Sequence, residues 1–266
     1  MNKVVLYCKS YQGDVHRVRI LFDSILKYNT DNIPFYISCP NKDSAIFKKV
    51  LGTTGYTLIS DESIYNHDQR EDWTAQQVVK SSFWKLGLCE NYLVLDSDSY
   101  FIRPFYASDF VAPNGEPYTV MHEQKDLFNW TCNKISNLGF DPIESFKECR
   151  QKIMNIFGRT GRYYDFGPSP VIWNAKVWKS LEDDYLLPNN ITLSDAIRTV
   201  PSEFTWYGEW LMTHATNVQA IEPIFKVFHY GHQYHEAKHQ GYAEEHFAKV
   251  YSGIVMQSNA GIPMKY

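Results

Sequence analysis

The sequence predicts an α/β protein: a mostly parallel central sheet flanked by helices, with a less regular C-terminal half. Up to Pro104, short apolar runs alternate with stretches of helical spacing, the signature of parallel strands joined by right-handed crossovers. Beyond Pro104 the alternation breaks into short mixed elements. The chain has 266 residues, 44% of them hydrophobic, so it can bury a substantial core.

Residues 3–8 (KVVLYC) read as the first strand. A helix follows, with Val15, Val18, Phe22, Ile25 and Leu26 at helical spacing and Asp14 able to cap its start. The plan then repeats: a strand at 34–39 (PFYISC), a helix at 42–51, a strand at 56–60 (YTLIS) after a turn, and a helix over about 74–88. That helix delivers the chain to YLVLDSDSYF, residues 92–101. In the second half we expect a strand at 117–122, a helix over about 142–157 and a basic loop at 158–164. After these come a strand at 169–174, a helical piece at 177–181, a helix over about 202–213 and a strand at 224–230.

The formal net charge of −4 gives no global attraction to nucleic acid or anionic lipid, so a nucleic-acid partner is disfavoured. Five cysteines (Cys8, Cys39, Cys89, Cys132 and Cys149) are odd in number, widely spaced and free of C-x-x-C, the pattern of reduced thiols in a cytoplasmic protein. No segment reaches the length of a membrane span, which leaves at most a peripheral membrane contact.

In YLVLDSDSYF the apolar run is the pattern of a strand buried on both faces, and Asp96 and Asp98 stand where it leaves the sheet. Residues two apart on an extended chain point the same way, so both carboxylates can converge on one point, where a divalent cation offsets their repulsion. The bland alternative is a pair of surface-turn aspartates. In an open sheet of this kind ligands bind outside the carboxyl ends of the strands, which makes the loops KSYQGD and DSDS neighbours.

The strand and helix order ending in D-x-D resembles the Rossmann-like GT-A glycosyltransferases. YLVLDSDSYFIRPF is similar to their metal-binding segment, FGPSPVIWNAKVWKSL (166–181) to a stretch of the glycogenin-like enzymes of family 8, and FKVFHYGH (225–232) to their late V-x-H-F-x-G strand. Pro168-Ser169-Pro170 departs from that family's flexible Ser-Gly and implies a stiffer backbone.

The resemblance implies one domain over 1–266, with a nucleotide-binding half (about 1–104) and an acceptor half (about 105–266). It implies Mn2+ or Mg2+ held by Asp96, Asp98 and His229, with His232 the alternative imidazole. The donor, a nucleoside-diphosphate sugar with uridine diphosphate favoured, would meet Tyr7, Lys9, Ser10 and Tyr11 after the first strand, together with Lys80, Asp96, Ser97 and His232. Tyr7 can equally be core and Lys80 a solvated lysine. His229, His232, His235 and His239 lie close together, but their spacing matches no strong zinc pattern; a solvated loop is their plainer reading. Arg159 and Arg162 could clamp a phosphate, and Trp206 and Trp210 could stack on sugars or pack the lobe.

Glu203 and Glu209 are the candidate general bases for an acceptor hydroxyl. Six residues apart on a helix, they lie about 120° apart around the axis, and Glu203, in the first turn, is favoured. The expected activity is metal-dependent transfer of a hexose-like unit to a saccharide or lipid-linked saccharide in cell-surface polysaccharide synthesis. Two alternatives remain: a haloacid-dehalogenase-like phosphatase with Asp96 as nucleophile, and a non-catalytic sugar-binding module.

Overall fold

A computed structural model of the chain describes residues 1–65, 73–132, 141–258, 261 and 263. Its main sheet has five strands in the order β3-β2-β1-β4-β7. These are β1 (Asn2–Lys9), β2 (Phe35–Cys39), β3 (Thr57–Ser60), β4 (Cys89–Leu95) and β7 (Val171–Asn174). The first four pair in parallel and β7 closes the edge antiparallel, as the alternating first half predicts. Between them run α1 (Val15–Tyr28), α2 (Ser44–Leu51), the single turn α3 (Asp61–Ile64) and α4 (Trp73–Ser82).

Both faces of this sheet are covered, and β1 shows how. Val5 and Tyr7 enter one core with α4 residues Val78 and Val79, while Val4, Leu6 and Cys8 enter the other with Val18, Leu21 and Phe22 of α1. The two-residue period of a strand sends alternate side chains to opposite faces, so a doubly covered strand reads as an unbroken apolar run. β4 repeats the arrangement, with Tyr92 and Val94 on the first face and Leu93 and Leu95 on the second.

The chain winds outward from β1 to β3, then returns to lay β4 against the other side of β1. That reversal opens a crevice at the carboxyl ends of β1 and β4. The register Cys8↔Leu95 fixes what faces it: Lys9 and the loop after β1 on one side, Asp96 and its neighbours on the other.

The second half contains β5 (Ser99–Phe101), β6 (Tyr118–Val120), α5 (Lys125–Cys132), α6 (Pro142–Phe157), α7 (Ala175–Leu181), α8 (Leu193–Thr199) and α9 (Glu203–His214). After these come β8 (Gln219–Ile221), β9 (Phe225–Phe228), α10 (Gly231–His239), α11 (Glu244–Phe247) and β10 (Gly253–Met256). β6 and β8 pair in parallel. β10 lies between β5 and β9, antiparallel to the first and parallel to the second. The sequence reading omits β10, although Ile254-Val255-Met256 is a short apolar run bounded by Gly253 and Gln257.

α9 crosses the segment before β7 closely. A Cβ placed on Gly208 would stand 2.0 Å from Cγ of Phe166. Alanine in place of glycine ordinarily favours a helix by about 1 kcal/mol, but here displacement of a buried ring dominates. Gly208→Ala is therefore expected to lose about 1–3 kcal/mol of stability, read as a lowered urea midpoint.

Candidate active site

At the end of β4 the two aspartates have different surroundings. Asp98 is buried; its Oδ2 accepts the Ser258 N–H at 2.8 Å, and its carbonyl accepts the Met256 N–H at 2.8 Å. Its Oδ1 is buried and has no hydrogen-bond partner. Burial first, and then the charge of Asp96, push the Asp98 carboxyl up to about 6 against the opposing effects of Ser258 and Arg17. Asp96 keeps a side chain that is 33% exposed. Its N–H donates to Ser169 Oγ at 2.9 Å, and that hydroxyl donates to Val94 O at 3.0 Å. The Pro-Ser-Pro segment thus fixes the backbone at which the first carboxylate leaves the sheet.

Lys80, on α4, is buried with its ammonium 3.3 Å from Asp96 and 2.6 Å from Glu203. Burial pulls its pKa down, but the two carboxylates outweigh this and leave it raised, so it stays charged. The solvated-lysine alternative is thereby set aside. Glu203 is the first residue of α9, behind the Ser202 cap, and its side chain is only 4% exposed. In this arrangement Glu203 holds Lys80 and, through it, Asp96; taking a proton from an acceptor would first require that pair to open. Glu209 is fully buried and receives both Nε and Nη2 of Arg159. Arg159 is thus committed to Glu209, whereas Arg162 lies outside, 2.9 Å from Glu123. Trp206 and Trp210 are core, their indole N–H groups donating to Val200 O and Ser180 Oγ, and neither offers a face to a sugar.

The loop after β1 meets the aspartates as its position predicts: Ser97 Oγ donates to Asp14 Oδ2 at 3.1 Å. Its residues divide differently from expectation. Tyr7 has no exposed surface; its ring stacks on Phe83 with centroids 3.9 Å apart and its hydroxyl meets Ser38, so the core reading is the right one. Lys9 is buried against Asp61 at 2.8 Å, which takes up its charge. Tyr11 is 44% exposed and retains a face for stacking. Ser10 Oγ and Arg17 Nη1 are both buried without a hydrogen-bond partner. Sequence reasoning misses Arg17, although its place in the first turn of α1 puts it within reach of this loop.

His229 is not gathered with the aspartates. It follows β9, and β10 stands between β9 and the strand that leaves Asp98; the residues beside Asp98 are accordingly Met256 and Ser258. His229 instead lines a pocket with Asp165 and Arg150, and burial holds its imidazole down to about 4. His232, His235 and His239 lie on α10 rather than on a loop, and His232 is exposed. Among the described residues no group of three His, Cys, Asp or Glu side chains is placed to share one ion. Cys8, Cys39, Cys89 and Cys149 are free thiols.

A family model described as "Family of unknown function (DUF6492)" matches residues 4–248. The chain belongs to this family. No curated protein matches it in sequence. Among solved structures, mouse xyloside xylosyltransferase 1 in its apo form aligns over 98% of this chain and 99% of its own, at a TM-score of 0.52 and 9% identity. This DUF6492 chain therefore has an α/β fold like that of a glycosyltransferase. Among its described residues no helix is long and apolar enough to cross a membrane.

Proposed function

We propose that the protein is a metal-dependent glycosyltransferase that moves a sugar from a nucleoside-diphosphate sugar, with uridine diphosphate favoured, to a saccharide or lipid-linked saccharide acceptor in cell-surface polysaccharide synthesis. The observation that carries this reading is the carboxylate pair at the β1–β4 crevice. A buried Asp98 oxygen without a partner, on a carboxyl whose proton affinity is raised, has the unused lone pairs and the basicity that suit a cation ligand. Asp96 and Asp98 fit Mn2+ or Mg2+, hard cations that accept two carboxylates and leave their remaining positions to water and diphosphate oxygens. When bound, such a cation neutralises charge on the departing nucleoside diphosphate.

The protein's own residues do the rest. Lys80 and Ser169 hold Asp96 from its side chain and its backbone, so the first ligand is oriented in advance. Ser10 and Arg17 bring an unpaired hydroxyl and an unpaired guanidinium N–H to the same crevice, the donors a diphosphate takes up. Tyr11 supplies an exposed ring for the base.

Release of uridine diphosphate from a panel of uridine-diphosphate sugars, with and without Mn2+, tests the reading. Metal-dependent release from at least one sugar is expected; hydrolysis of a generic phosphomonoester in its place would move the protein to the phosphatase class. Protons compete with the cation for Asp98, whose carboxyl titrates near 6. Mn2+ affinity is therefore expected to fall as pH drops through about 6, approaching tenfold per unit below it, as followed by electron paramagnetic resonance of free Mn2+.

A further inference from the structure

Two cavities with shared lining lie beside segments that lead to Asp96. One is a pocket of about 370 Å3, the other a groove of about 1200 Å3, and both are lined by Gln124 and His229. The pocket is tied to the aspartates by two routes. Ser202 on its wall caps the helix whose first residue, Glu203, pairs with Lys80. Asp165 on its wall opens the run to Ser169, which holds the Asp96 N–H.

The lining of these cavities indicates what they hold. In the pocket Arg150 and Asp165 meet at 2.7 Å and cancel, while Gln124 also donates to Asp165. Arg150 Nε is buried and has no hydrogen-bond partner, which leaves a directional donor for a hydroxyl. In the groove Arg103, Lys125 and Lys226 are matched by Glu123, Glu222 and Glu236, so neither cavity carries a surplus of either charge. A phosphate-bearing or uronic-acid ligand would find no net attraction there. The groove volume exceeds the roughly 1,000 Å3 at which ordinary small-molecule pockets end, and it runs past Tyr242. That ring is 47% exposed and lies flat on Phe247 with centroids 5.7 Å apart, a braced platform of the kind a sugar face packs on.

We propose that the acceptor is an uncharged oligosaccharide of more than one sugar unit, its reacting end in the pocket beside Arg150 and Asp165 and its remaining units along the groove over Tyr242. The assignment rests on the glycosyltransferase reading and narrows its acceptor to a neutral glycan. The test is binding of the full-length protein, with uridine diphosphate and Mn2+, to an array of neutral and acidic glycans from mono- to hexasaccharides, followed by titration of the best ligand into Tyr242→Ala.

Neutral glycans longer than a monosaccharide should bind and acidic ones should not, and Tyr242→Ala should weaken the longest ligand about tenfold while leaving uridine diphosphate binding unchanged. Preference for acidic glycans, equal binding of a monosaccharide, or no glycan binding while uridine diphosphate still binds would overturn the acceptor assignment alone. Loss of uridine diphosphate binding in the unaltered protein would remove the donor reading with it.

Discussion

Replacing Lys80 with methionine is expected to cost about 3–5 kcal/mol of stability, because it strands a buried carboxylate. The ammonium lies 2.6 Å from Glu203 and 3.3 Å from Asp96, and the Glu203 side chain is 4% exposed. Without Lys80, Glu203 has no charge to answer it in a medium that solvates ions poorly. The double variant Lys80→Met with Glu203→Gln should recover most of the loss, since a neutral pair costs far less to bury than a lone ion. It should not recover turnover, because Asp96 has lost the group that orients it. Urea unfolding of the three proteins checks the stabilities. A Lys80→Met protein as stable as its parent would mean that Glu203 finds another partner or reaches solvent.

Asp98→Asn is expected to separate stability from activity. In the protein without metal, Asp98 is held up at about 6 by burial and by Asp96, against about 3.9 for an unfolded aspartate. A carboxyl whose folded pKa is raised destabilises the fold wherever it is ionised, and the penalty disappears as pH falls from about 6 toward about 4. Asparagine removes the charge and keeps an oxygen to accept the Ser258 N–H. The metal-free variant should thus gain about 1–2 kcal/mol near neutral pH, and wild type should close the gap on acidification. Activity should instead fall by about 10³-fold, the scale of several kcal/mol of lost charge stabilisation in the transition state. Thermal unfolding across pH, beside the uridine diphosphate release assay, reads both.

The features legible in the sequence are those that local pattern controls. The unbroken runs of β1 and β4 mark strands covered on both faces, and their parallel pairing places the loop after Cys8 beside Asp96. Partnerships across the chain are not legible in this way. Lys80 is a lysine near the end of a helix until α9 folds back to set Glu203 against it, and only then does each carry the other's charge. The same holds for Arg159 with Glu209 and for Arg150 with Asp165.

Tyr7 illustrates a second limit. The alternation that marks a strand cannot tell which of its faces meets a ligand and which meets another helix; here Phe83 takes the ring. His229 illustrates a third, since ending an apolar strand looks equivalent for β9 and β4. The insertion of β10 between β9 and β5 is a matter of strand order, which a four-residue run such as Gly253–Met256 does not announce. The histidines of α10 gave no helical signal because the helix buries little beyond Tyr234.

Calorimetric titration of uridine diphosphate into the wild-type protein and into Asp98→Asn, each with Mn2+ and with chelator, bears most directly on the claim that the β4 carboxylates hold a cation for a diphosphate. Binding that needs both the metal and Asp98 is the predicted result. Uridine diphosphate bound equally well with chelator, or equally well by the variant, would contradict it.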